Sequence, residues 1–208
     1  MWSFKSDVKS GSFHPKTAIR FIEQKTQACP PSKRFMHWAH FMGDIEEAFS
    51  IYSDFQAKAL KGEEANFAGF EINSGEFLFC ASLTPGSRLN ASALDIGYWV
   101  SSKYEGKRLG TLAAKVLIAL AVNFYDADRI SVTCNPENIA SLRIIEKCGF
   151  HFEGTLRNYL MKPTPEMISD GYSSIRDVSC FSLVSQEVFN LDWFKPFCDE
   201  LEMITFSD

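Results

Sequence analysis

The chain has 208 residues, 46% of them hydrophobic and 23% charged, with a net charge of −5. That suits one domain with a sizeable core and argues against direct nucleic-acid binding, which needs a basic stripe. No stretch approaches the ~20 apolar residues of a membrane span, and the first residues lack the apolar core of a leader, so no membrane association is expected. Six cysteines at 29, 80, 134, 148, 180 and 198 form no CxxC pair and have no companion histidine spacing. Neither a metal site nor a disulfide framework is expected, and the location implied is reducing and cytoplasmic.

Residues 1–15 are polar and rich in glycine and serine, and no element is assigned there. A helical pattern starts at Pro15 with Ala18, Ile19 and Ile22, and Cys29-Pro30-Pro31 stops it. The segment KRFMHWAHF that follows reads either as a packed corner of the core or as an acceptor pocket lined by Phe35, His37, Trp38 and Phe41. Asp44 opens a second helix with Glu46 and Glu47 in its first turn, and Gly62 closes it. Strands are expected over 66–72 and 76–83, joined by the tight turn Asn73-Ser74-Gly75. A third, 93–100, alternates two unlike faces. Its Gly97 is a bulge, a point of close approach, or simply a tolerated glycine.

The stretch 103–111, KYEGKRLGT, leads from that strand into a helix that is almost wholly apolar to Phe124. The first N–H groups of any helix lack intrahelical partners. Gly106 and Gly110 would let such amides approach a diphosphate, and Lys107 and Arg108 add positive charge. Neither a Walker loop nor GxGxxG is present. A β-branched strand, 129–134, precedes Asn135-Pro136-Glu137, which reads as a helix start with Asn135 as N-cap. Ile139, Leu142, Ile145 and Cys148 form the buried stripe, and Gly149 ends the helix. Asn138 and Ser141 lie off that stripe on one side, as a solvated face or as functional groups. Further strands are expected over 150–156 and 177–184, with a polar loop between them that could top an acceptor site.

In this order the pieces resemble the GNAT acetyltransferase superfamily, and within it the Rim-type group that acetylates N-terminal amines of ribosomal proteins. DIGYWV is similar to the family's splayed fourth strand, and KYEGKRLGT to its [RQ]xxGx[GA] pyrophosphate loop. NPENIASLRIIEKCGF resembles the NxxSxxxxxKxGF helix, and RFMHWAHF the aromatic segment before the second helix. Residues 35–185 carry the likeness. The first 30 residues and the tail 186–208 do not, and the whole is expected to be one domain.

The resemblance implies an α/β (α+β) fold, a mixed, mostly antiparallel twisted sheet flanked by helices, whose splayed central strands hold acetyl-CoA. It implies direct attack of a primary amine on the thioester, without a metal. Trp99, Val100, Lys103, Gly106, Lys107, Arg108, Leu109, Gly110, Thr111, Asn135 and Asn138 fall at donor-binding positions. A backbone N–H of Trp99 or Val100 would stabilise the thioester oxygen. Asp95 stands where related enzymes carry a base, with Glu153 or a held water as the alternative. Ser141 is the candidate acid or a hydrogen-bonding group near the sulfur, and Ile145 stands where many of the family carry a catalytic tyrosine. The second small residue of the loop signature is Arg108, which either adds a phosphate contact or crowds the loop. The expected acceptor is a protein or peptide N-terminus, for a monomer or homodimer. A polyamine or aminoglycoside acetyltransferase and a non-catalytic acyl-CoA-binding module are the alternatives.

Overall fold

A parallel pair of strands cannot be joined by a tight turn, so the chain must cross over the sheet between them. The computed structural model, which describes residues 2–5, 34–40, 53–54, 57–58, 61, 63–71, 73–87 and 89–200, has one such pair. Seven strands form the sheet: β1 Trp2–Lys5, β2 Ala65–Glu71, β3 Phe77–Pro85, β4 Ala93–Val100, β5 Arg129–Cys134, β6 His151–Leu156 and β7 Val178–Val184. Their spatial order is β1-β2-β3-β4-β5-β7-β6, and every neighbouring pair is antiparallel except β4 with β5. The mixed, mostly antiparallel sheet is the one expected.

The crossover is α1, Leu109–Asn123. Leu109, Ala113, Ala114, Leu117, Ile118 and Ala121 are all buried, and a helix apolar on nearly every side belongs inside. It packs across β3 and β4 and against α2, Ile139–Cys148. Ile145 and Cys148 are the buried positions of α2. Gly149 adopts φ 90°, so that its N–H reaches Glu146 O at 3.0 Å and the N–H of Phe150 reaches Ile145 O. Three short α-helices follow: α3 Pro165–Ser169, α4 Ser185–Val188 and α5 Phe194–Glu200. No described helix is long and apolar enough to cross a membrane.

Two sequence expectations are corrected, and one choice between alternatives is decided. Residues 1–15 contain the strand β1, which pairs with β2 from Trp2↔Glu71 to Lys5↔Ala68. Four residues are too few to display a period, and the partner lies far along the chain. Gly97 is not a bulge, since β3 and β4 stay in register from Phe79↔Val100 to Pro85↔Leu94. A Cβ there would lie 2.8 Å from Ser82 Oγ, so close approach is what Gly97 serves. The N-cap of α2 is Asn138, not Asn135. Asn135 Oδ1 closes a tight turn on the Glu137 N–H at 2.9 Å, while Asn138 Oδ1 accepts from the Ser141 N–H at 3.1 Å. The helices expected from Pro15 and from Asp44 lie largely outside the described residues. The tail docks on the core, with Phe194 4% exposed and Lys115 Nζ 4.3 Å above the Trp193 ring.

Candidate active site

β4 and β5 pair at only three positions, Ala93↔Arg129, Leu94↔Ile130 and Asp95↔Ser131. Beyond Asp95 the ladder stops and a gap opens toward Val100. Backbone alternation decides which groups face it. The Ser101 N–H donates to Leu78 O and the Gly86 N–H to Ala93 O, both at 2.9 Å, so the odd-numbered residues of β4 turn their peptide groups to β3. Ile96, Tyr98 and Val100 therefore turn theirs into the gap. The Val100 N–H points into it, and the Trp99 N–H points away. The Trp99 ring packs on Phe77, with centroids 5.1 Å apart.

At the open end of the gap lies the loop 101–108, which enters α1. Gly106 has φ 73° and open space around its missing Cβ, so its conformation, not crowding, requires glycine. Arg108 also lies in the left-handed region, at φ 64°, immediately before Leu109. The first turn of α1 has no acidic residue and no side-chain cap, so its N–H groups and partial positive charge are uncompensated by side chains. Lys107 Nζ stands 4.6 Å over the Tyr104 ring. Lys103 Nζ is 2.5 Å from Glu76 Oε1, and the Tyr104 hydroxyl donates to the other oxygen of that carboxylate. These two bonds hold the Glu76 carboxyl below its ordinary range. Gly110 has a different reason from the one expected: a Cβ there would lie 2.6 Å from Ile144 Cδ1, so this glycine admits α2.

Two polar groups flank the gap on opposite faces of the sheet. On the helix side, the Tyr98 hydroxyl and Ser141 Oγ are 3.0 Å apart. On the facing strand, burial pushes the Cys134 thiol up to about 11. Burial raises the Tyr98 phenol well above its usual range, so it stays neutral. Ile145 is 1% exposed and belongs to the core. On the other side, Asp95 is half-buried, and desolvation lifts its carboxyl above the ordinary value against the pull of Arg129. Its Oδ1 lies so close to Gly86 that a Cβ there would come within 2.6 Å. Glu153 is held differently. Arg129 Nη2 lies 2.6 Å from Oε2 and Ser182 Oγ donates to Oε1 at 2.5 Å, which lowers its carboxyl. Of the two carboxylates, Asp95 holds a proton more tightly than usual and Glu153, tied to its partners, less tightly.

The aromatic segment 34–40 meets the loop before β7. The Ser173 N–H donates to Arg34 O at 2.8 Å, and the His37 and His40 rings stand edge-on to Tyr172, 6.1 and 5.2 Å from its centroid. Arg34 stands 5.3 Å over the Phe35 ring. Phe41 and the side chain of Trp38 lie outside the described residues. Asn135 joins this region: its Nδ2 donates to Ile175 O at 3.1 Å and to Ser173 Oγ at 3.4 Å. Since its Oδ1 is also engaged, Asn135 bridges protein segments. Asn138 spends its carbonyl oxygen on the cap, and its amide nitrogen is the part a ligand could meet. Sequence reasoning missed Tyr98, Arg129 and Ser182. Alternation puts Tyr98 on the opposite face from Asp95, but only the docked α2 reveals its partner.

Residues 24–151 match a family model described as "Acetyltransferase (GNAT) domain". "Probable N-acetyltransferase YjcK" of Bacillus subtilis (strain 168) is 30% identical over 105 residues, 50% of this chain and 58% of the relative. The chain thus spans little more than half the length of that curated relative. Among solved structures, a RimL ribosomal L7/L12 alpha-N-protein acetyltransferase in complex with coenzyme A superposes with TM-score 0.73 at 15% identity. That superposition covers 88% of this chain and 93% of the other. A spermidine N-acetyltransferase SpeG chimera from Vibrio cholerae and hSSAT superposes with TM-score 0.66 at 11% identity, covering 91% and 99%. At these identities the two structures speak for the fold.

Proposed function

Because the chain belongs to the acetyltransferase (GNAT) domain family, we propose that it transfers an acetyl group from acetyl-CoA to a primary amine, with a protein or peptide N-terminus as acceptor. The observation that carries this reading is the half-buried Asp95, with its raised proton affinity, at the closed end of the gap between β4 and β5. The donor's diphosphate suits the uncompensated N-terminus of α1, with Lys107 and Arg108 beside it. The Val100 N–H supplies a fixed dipole for the thioester oxygen as charge develops.

The chemistry balances with these groups. Asp95 accepts a proton from the acceptor's ammonium, directly or through water, because only the neutral amine is nucleophilic. The amine nitrogen bonds to the thioester carbon, and the carbon–sulfur bond breaks with its electron pair going to sulfur. The amide nitrogen sheds its second proton, and the thiolate takes one up.

A single N-terminal ammonium fits better than a polyamine. Polyamines need several carboxylates, and the second one on this face, Glu153, is neutralised by Arg129 and Ser182. The loop between β6 and β7 exposes Tyr159, Met161 and Ile168, apolar groups suited to the side chains that follow a peptide N-terminus. On this reading the protein works as one domain in the cytoplasm, as monomer or homodimer, without nucleic acid. Thiol release from acetyl-CoA, measured against peptides with free and blocked N-termini, polyamines and aminoglycosides, tests it. Free-amine peptides should turn over and blocked ones should not. Faster turnover of spermidine would move the assignment to small amines, and no release with any amine would leave a binding module.

A further inference from the structure

Tyr98 belongs to no catalytic assignment above, yet its hydroxyl ends at Ser141. Continuing the parallel register beyond Asp95↔Ser131 puts Tyr98 level with Cys134 across the open gap, where the strands no longer pair. Ser141, near the start of α2, closes the triangle. Its backbone N–H is held by Asn138 Oδ1 at 3.1 Å and its hydroxyl by Tyr98 at 3.0 Å, so both ends of the residue are fixed.

Direction matters in the Tyr98–Ser141 bond, because a serine hydroxyl has a single hydrogen and two lone pairs. A phenol is the stronger donor and poorer acceptor of the two, and this one is buried and stays neutral. With Tyr98 donating, the Ser141 hydrogen must point elsewhere. The Cys134 thiol is held up at about 11 by burial and stays protonated, so it carries no charge to draw that hydrogen. That hydrogen is therefore left for a group in the gap between β4 and β5, where the strands no longer pair.

We propose that Tyr98 is a positioning residue whose O–H donates to Ser141 Oγ and thereby aims the Ser141 hydroxyl hydrogen at the donor sulfur between β4 and β5. This rests on the acetyl-CoA reading above. As the carbon–sulfur bond breaks, its electron pair collects on sulfur and Ser141 stabilises it by a hydrogen bond. No proton leaves Tyr98, and the thiolate is protonated by the proton the amide nitrogen sheds. The role differs from that of a tyrosine acid, for which so weakly acidic a phenol is unsuited.

Coenzyme A itself is the probe, and no acceptor is needed. The thiol of bound coenzyme A is titrated by difference ultraviolet absorbance in the unsubstituted protein, Tyr98→Phe, Ser141→Ala and the double variant. In the unsubstituted protein the bound thiol should titrate roughly one unit below free coenzyme A. Tyr98→Phe should reverse most of that shift without changing affinity for coenzyme A, and the double variant should match Ser141→Ala. A Tyr98→Phe protein whose bound thiol titrates where it does in the unsubstituted protein, or a double variant in which the two effects add, overturns the proposal. If Tyr98→Phe does not fold, a fluorotyrosine placed at position 98, a stronger donor, should lower the thiol titration further, and no change overturns the role. Absence of coenzyme A binding to the unsubstituted protein would overturn the donor site itself, a result distinct from binding with no effect of Tyr98.

Discussion

At the scale of single residues, Arg108 carries a backbone cost whichever way its side chain serves the loop. A residue with a Cβ costs roughly 1–2 kcal/mol in the left-handed region, and Arg108 occupies it at φ 64° with an exposed side chain. Arg108→Gly should raise stability by about 1 kcal/mol in urea titrations while weakening coenzyme A binding, more so at low salt. Tighter binding would mean that the side chain obstructs the loop. Asp95 carries a second pair of predictions. Its carboxyl is raised in the folded state, so it binds protons there that the unfolded chain has released, and its stabilising share falls as pH rises through the folded value. Asp95→Asn should therefore raise the melting temperature at neutral pH and abolish the acid limb of kcat/KM, while the parent rate climbs as Asp95 ionises. Asp95 was a candidate from the sequence through the family resemblance at its strand position. The ties that hold Glu153 were not legible, because Arg129 and Ser182 are brought to it by β5 and β7.

At the scale of elements, local signals were enough wherever hydrogen bonding and burial share one period. β4 and β5 fall where alternation and β-branching put them, and α1 starts at Leu109 as its unbroken apolar run implies. The signal failed where two neighbouring segments offered the same chemistry. Asn135 and Asn138 are both competent caps three residues apart, and long-range bonds to Ser173 and Ile175 decide between them. Gly110 looked like part of the anion loop, yet it serves helix packing. Gly110→Val should cost about 1–3 kcal/mol through the contact with Ile144, and shortening Ile144 to Val in the same protein should recover part of it in urea titrations. Gly106→Ala meets no neighbour, so its cost should be confined to backbone strain near 1 kcal/mol, with both variants compared in the same assay.

At the scale of the whole molecule, the tail is part of the core's closure. Phe194 is 4% exposed, and Phe194→Ala should lose about 3–5 kcal/mol in chemical denaturation. Leu191 fills the space that Gly149 leaves open, so the tail also seals the end of α2. The short β4–β5 ladder has a mechanical meaning as well. The described sheet is two antiparallel leaves, β1 to β4 and β5 to β7, sewn together by three residue pairs and connected through the crossover that contains α1. Such a seam is where cooperative units separate first. Amides of β5 to β7 should exchange hydrogen at rates distinct from those of β1 to β4 when the protein is alone. A molecule lying in the seam would act as a missing rung, bringing both leaves to one common opening rate. The acetyl donor would then be a fastener of the fold as well as its reagent, and each turnover would briefly unfasten it.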